Sequence, residues 1–207
     1  YVCNSYFLLS NLLFQDLDGS PLCDAIENVT QGYDGARFSH VAIAVTDDNG
    51  EIAIIEAGGK GVVVTPLPKF LDKSHDANGN PKVLVARLLP EYRQLIPSAI
   101  AEAKKLIGKS YDREFKIDND KYYCSELVYF VFMRANGGKE VFELQPMTFK
   151  DQKTGQTLAT WKNYFARLHK TIPEGEPGIN PGGISRSPVL EIVHVYGMPD
   201  GFMGTGR

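Results

Sequence analysis

The chain has 207 residues, enough for one sizeable core without a second domain. Its net charge is −3 and it has no basic run, which argues against a nucleic-acid partner. No apolar stretch is long enough to form a transmembrane helix.

In chain order, Leu12–Gln15 predicts a short strand, closed by the turn-rich run from Asp16 to Pro21. Ser20 is placed to cap a helix with Pro21 at its first position. Leu22, Ala25, Ile26 and Val29 give that helix one apolar face, and Gly32 and Gly35 are expected to end it. Ser39–Thr46 and Ile52–Ala57 read as two strands around Asp47-Asp48-Asn49-Gly50, a hairpin signal. Val62–Thr65 reads as another strand, stopped by Pro66 and Pro68. Lys73–Pro81 reads as a polar loop and Val83–Leu88 as a strand. Ile96–Ile107 predicts a helix that tolerates Pro97 in its first turn and stops at Gly108. Tyr122–Ala135 predicts a helix that carries Cys124 and ends at Gly137-Gly138. Leu158–Lys170 is an amphipathic candidate, residues 171–188 are Pro/Gly-rich and read as irregular, and Leu190–Tyr196 reads as a last strand. These elements describe one α+β domain over residues 1–207.

Three residues carry the candidate chemistry: His40 opens an apolar strand, Glu56 lies near the end of the next, and Cys124 opens an apolar helix. Strand side chains alternate between faces, so the hairpin loop decides whether His40 and Glu56 meet. A three-residue loop, Asp48-Asn49-Gly50 with Gly50 left-handed, sets Asp47 opposite Glu51 and Ala42 opposite Glu56. His40 then becomes a diagonal neighbour of Glu56 on the same face. A two-residue loop puts them on opposite faces, and the Asn-Gly ending permits either. A carboxylate beside an imidazole orients the ring and stabilises its charged form.

Asp118, Asn119 and Asp120 are candidate caps for the cysteine helix. Cys124 then falls in the first turn, where the helix dipole favours a thiolate. The stripe Cys124, Leu127, Val128, Val131 is equally the pattern of an inert buried cysteine. The presence of a thiol, a histidine and a carboxylate together favours nucleophilic catalysis. Of the other cysteines, Cys3 and Cys23 are a candidate disulfide of an exported protein whose signal has been removed. Three reduced thiols in a cytoplasm is the alternative.

Gly108-Lys109-Ser110-Tyr111 and Tyr123-Cys124-Ser125-Glu126-Leu127-Val128-Tyr129 resemble the nucleophile segment of NlpC-type papain-fold hydrolases. The histidine strand Ser39-His40-Val41 precedes it, an order that resembles the circularly permuted branch. That branch includes the YiiX-like proteins and, more distantly, the lecithin:retinol acyltransferase group. With Leu12–Gln15, the match resembles the YiiX-like type over roughly residues 11 to 135, although Ser10-Asn11 stands where such proteins have Gly-Asp. The resemblance implies a small curled antiparallel sheet packed against the cysteine helix. It implies Cys124 as nucleophile, His40 as general base and Glu56 as the residue that orients it. Tyr111 and Tyr123 are implied oxyanion or substrate contacts, and the Cys124 N–H a further oxyanion donor. The implied reaction is attack on an acyl carbon through a thioester, on cell-wall peptides or on lipid acyl groups, with peripheral envelope association and no cofactor.

Three other classes compete with this reading. The first is a non-catalytic lipid- or peptide-binding module on the same shell. The second is a metal hydrolase using His40, Glu56 and His75 or His194, which no H-E-x-x-H or paired-cysteine spacing supports. A structural surface protein is a third class, compatible with the Pro/Gly-rich tail but not argued for by it.

Overall fold

The first strand in sequence is an inner strand of the sheet. β1 (Leu12–Gln15) pairs antiparallel with β2 (His40–Thr46) on one side and with β5 (Val83–Leu88) on the other. In this computed structural model, which describes residues 12–47, 49–117 and 119–205, β3 (Ile52–Gly58) and β4 (Gly61–Pro66) extend the sheet beyond β2. β8 (Leu190–Tyr196) closes the far edge beside β5. The six-stranded order is β4-β3-β2-β1-β5-β8. The α+β class and the antiparallel sheet expected from the sequence are therefore present.

Alternation along the strands gives the sheet two apolar faces. Leu12, Phe14, Val41, Ile43, Ile55 and Leu84 belong to the larger core. On that side α4 (Cys124–Ala135) packs against β2 and β3, and α3 (Ile96–Lys105) packs against α4. Leu13, Ala42, Ala44, Ile54, Val83 and Val85 point the other way and are covered by Leu67, Phe70 and Leu71 of α2 (Leu67–Leu71). Every residue of α4 from Cys124 to Phe132 is buried, Ser125 and Glu126 included, so the helix is enclosed on all sides and not along one stripe.

Several boundaries differ from the sequence reading. α1 (Pro21–Val29) is capped by Ser20, whose Oγ accepts from Leu22 N at 3.2 Å. It ends at Thr30, before Gly32 and Gly35. Pro66 and Pro68 do more than stop β4, because Pro68 sits in the first turn of α2, where a missing N–H costs nothing. The helix that holds Cys124 begins at the cysteine itself, with Tyr123 as N-cap. Asn119 and Asp120 lie in the preceding loop and do not cap it. Instead the Tyr123 N–H donates to Glu126 Oε2 at 3.2 Å, the return half of a capping box. α5 (Ala159–Arg167) is shorter than its amphipathic pattern at both ends. The stretch 171–188 is not wholly irregular: β7 (Pro177–Gly178) pairs with β6 (Gln145–Pro146), and α6 (Pro181–Ser185) follows, capped by Asn180. Cys3, the Ser10-Asn11 pair and Asp118 lie outside the described residues, and so does the pairing of Cys3 with Cys23.

Candidate active site

The hairpin between β2 and β3 sets the site. Asp47 N donates to Glu51 O at 2.8 Å and Gly50 N to Asp47 O at 3.1 Å, with Gly50 at φ +81°. This is the three-residue loop with a left-handed glycine. Ile43 faces Ile55 and Ala44 faces Ile54, so His40 and Glu56 share a face. Their side chains meet: His40 Nε2 lies 2.6 Å from Glu56 Oε2. Both residues are buried.

Glu56 has two partners that the sequence reading missed. Thr65 Oγ1 donates to Oε1 at 2.6 Å, and Lys73 Nζ stands 2.6 Å from both carboxylate oxygens. Thr65 was legible, since Val63 faces Glu56 and Thr65 follows two residues on along the same face of β4. Lys73 was not, because it comes from the stretch read as a loop and is carried to the site by α2. Burial pushes the Glu56 carboxyl up, but the hydrogen bond and charge of His40, with Lys73, hold it down at about 2.

The Cys124 thiol lies beside the same ring, and the two groups interact. With Nε2 held by Glu56, Nδ1 is the ring nitrogen left to the sulfur. Burial alone would favour a neutral ring, but Cys124 and Glu56 together outweigh it and push the pKa up to about 9. Burial likewise opposes a thiolate. The hydrogen bond and charge of His40, with the N–H groups of Val41 and Ser125, reverse that and lower the Cys124 pKa. The three side chains thus converge in the order sulfur, imidazole, carboxylate, with an ammonium behind the carboxylate.

Tyr111 and Tyr123 both line a cavity onto which Cys124 opens. Tyr111 reaches it because the segment before it is pinned to β4: Gly108 N donates to Val62 O at 2.9 Å and Val62 N to Lys109 O at 2.8 Å. Burial and the neighbouring Cys124 charge keep its phenol protonated, well above the usual range. The Tyr123 hydroxyl has another task, accepting from Ile179 N at 3.3 Å. Ser125 Oγ donates to Ile179 O at 3.0 Å. The two residues that flank the cysteine therefore hold Ile179, and with it the Pro/Gly-rich segment, against the site. Trp161 and Phe149 are also part of the cavity wall. No motif marked these residues in the sequence.

The remaining histidines stay apart from this cluster. The His75 side chain is partly exposed, 4.0 Å from Asp72, and His194 packs edge-on against Tyr196 with ring centroids 4.3 Å apart. Among the described residues, no group of three or more His, Cys, Asp or Glu side chains is placed to hold a metal ion. No helix among them is long and apolar enough to cross a membrane.

A histidine-bearing strand that precedes the cysteine helix, in an antiparallel sheet backed by that helix, is a papain-like fold in permuted order. The chain belongs to the C92 peptidase family of permuted papain-like amidases, the YaeF/YiiX family, whose family model matches residues 11–194. It is 32% identical over 160 residues to the uncharacterized protein YiiX of Escherichia coli K12, covering 75% of this chain and 73% of that one. The crystal structure of metalloprotein YiiX from Escherichia coli O157:H7 is similar with a TM-score of 0.71 at 28% identity. The match covers 90% of this chain and 96% of that one.

Proposed function

We propose that this chain is a thiol-dependent amidase in which Cys124, His40 and Glu56 act as nucleophile, general base and orienting acid. The observation that carries this reading is the buried 2.6 Å contact of His40 with Glu56, with the Cys124 thiol beside the same ring and on the wall of a cavity. Membership of an amidase family supports the same reaction class.

The lowered thiol pKa and the raised imidazole pKa both favour a thiolate–imidazolium pair. The thiolate attacks the amide carbon, forming a C–S bond. The developing oxyanion accepts from the Cys124 N–H at the helix start and from the Tyr111 hydroxyl. His40 gives its Nδ1 proton to the amine as the C–N bond breaks, leaving a thioester. Water, deprotonated by the now neutral His40, attacks the thioester and returns the thiolate. Glu56 stays ionised throughout, fixing the ring by Nε2 and stabilising its charge, while Lys73 keeps the carboxylate from being protonated.

The description of the YiiX relative as a metalloprotein does not transfer to this site. Cys124 and His40 are committed to each other, Glu56 is saturated by His40, Thr65 and Lys73, and no third ligand side chain stands beside the sulfur among the described residues.

Iodoacetamide alkylation of Cys124, followed across pH by mass spectrometry, tests the reading. Rapid labelling is expected at about pH 6, well below the ordinary thiol pKa of about 8.5, and His40→Ala should abolish it. Labelling only in denaturant defeats the proposal and favours a binding module on the same fold.

A further inference from the structure

We propose that the amine half of the substrate lies along Gly58-Gly59 and carries a carboxylate, as an amino acid or short peptide does, with Arg113 and Lys60 holding that group. This rests on the amidase reading and specifies its leaving group.

An amine protonated by His40 departs on the imidazole side of the sulfur. The β2–β3 register pairs Ile43 with Ile55, and its continuation brings Gly58 to the level of His40. Strand side chains alternate, so His40, Glu56 and Gly58 share one face. Beyond Gly58, Gly59 and Lys60 make the turn into β4, and Gly58 pairs with Gly61 across it. Gly61 abuts Lys109 and Ser110, the two residues before Tyr111. This turn therefore connects the side of the site that holds the base with the segment that carries Tyr111.

The turn holds two glycines that the fold does not require. Neither Gly58 nor Gly59 has a left-handed φ, and a Cβ on either would meet no atom within 4 Å. Backbone conformation and internal packing would admit a side chain at both. Glycine loses more freedom on folding than any other residue, so a pair of them here lowers stability with no return inside the folded chain. Glycine at such a strand position marks the close approach of a ligand or of another backbone. The surface kept bare is the one beside His40, where the departing amine must pass.

Charge specifies what that amine carries. Arg113 Nη2 donates to Gly59 O at 3.4 Å, which brings the guanidinium to the same turn. Its loop is pinned: the buried Asp112 carboxylate accepts from Glu114 N and Lys116 N, and the Tyr164 hydroxyl donates to Arg113 O. The other acids of this loop are committed, Glu114 to Lys170 and Lys116, and Asp120 to Lys109. Arg113 and Lys60 have no acidic partner among the described residues. Two exposed cations thus flank the bare turn and attract an anion. A leaving amine with a carboxylate meets this surface, and one with a second ammonium is repelled.

The test uses two isosteric acetyl esters, of 5-hydroxy-2-nitrobenzoate and of 5-hydroxy-2-nitrobenzamide, mixed with the purified protein. In both, the thiolate forms a C–S bond to the acetyl carbon, the C–O bond breaks and the nitrophenolate leaves. Each kcat/KM is divided by the ester's rate with 2-mercaptoethanol, which removes intrinsic reactivity. The carboxylate ester should then be favoured about fivefold, the scale of an exposed ion pair, and less so in high salt. Arg113→Ala with Lys60→Ala should abolish the preference. Gly58→Ala and Gly59→Ala should keep or raise Tm while raising KM for both esters. Equal rates, a preference for the benzamide, a preference that survives loss of both cations, no release from either ester, or alanines that lower Tm and leave KM unmoved overturn the proposal. The iodoacetamide profile separates the two levels. If Cys124 labels at about pH 6 while the carboxylate preference fails, only the leaving-group assignment falls. If the labelling also fails, the amidase reading falls with it.

Discussion

Glu56 is the residue of the candidate site on which electrostatics weighs most. It is an anion with 3% exposure, kept ionised by His40, Thr65 and Lys73. Removing its charge while keeping its shape isolates its role. Glu56→Gln should leave the fold intact and lower kcat/KM by roughly 10²–10⁴-fold, because an amide can no longer stabilise the imidazolium. Lys73→Met should act more mildly, on the order of tenfold, and should move the acidic limb of the pH–rate profile upward as the Glu56 pKa rises. Steady-state kinetics of both variants across pH checks this pair. If Glu56→Gln retains full activity, the carboxylate is structural. The residues of the proposed triad could be picked out in the sequence because chemistry restricts such roles to a few types. Lys73 was not, because a lysine in a polar stretch looks like any solvated lysine until α2 turns it inward.

At the scale of elements, the site depends on how β4 grips the loop that carries Tyr111. Gly61 begins β4 at φ +92°, and a Cβ there would collide with the Lys109 carbonyl. Only glycine permits both that backbone and the close approach. Gly61→Ala should therefore cost more than about 1 kcal/mol of stability and displace Tyr111. Chemical denaturation and kcat measured together check it, and a loss of kcat larger than that of a surface control is expected. Strand positions were readable from alternation, but the sequence left the hairpin register between two loop lengths, and Gly50 at φ +81° decides it. Helix starts were less legible. Asn119 and Asp120 are good capping residues by type, yet α4 begins later, at Cys124. Its N-cap N–H finds Glu126 instead, and Asp112 uses its own carboxylate on Glu114 N and Lys116 N within the preceding loop. Two short elements escaped: α2 because Pro66 and Pro68 read as the end of a strand, and α6 because Pro181 falls in a Pro/Gly-rich run that reads as irregular.

For the molecule as a whole, the buried ionisable groups set opposing pH dependences. Glu56, depressed from 4.5 to about 2, contributes stability above pH 4.5 that is lost as pH falls through about 2. Glu27 on α1 goes the other way. Burial raises it to about 8, so its proton is bound more tightly folded than unfolded and stability declines between pH 4.5 and about 8. His40, raised from 6.5 to about 9, contributes fully below 6.5 and is lost as pH rises through about 9. Together they place the highest Tm near about pH 5, falling toward both pH 2 and pH 9. Glu27→Gln should raise Tm at about pH 8 and flatten the alkaline side. Scanning calorimetry across pH checks both, and a Tm maximum above about pH 8 contradicts the assignment. The sequence by itself determined the class of fold, the permuted order of histidine and cysteine, and the face that His40 shares with Glu56 once the loop length is fixed. These are local or periodic properties, written within a few residues of each position. Only the tertiary structure decided that Lys73 backs the carboxylate, that Tyr123 and Ser125 hold Ile179, and that Trp161 and Phe149 wall the cavity. Such contacts join segments far apart in the chain, and their geometry comes from how helices pack on the sheet, which no local pattern of residues encodes.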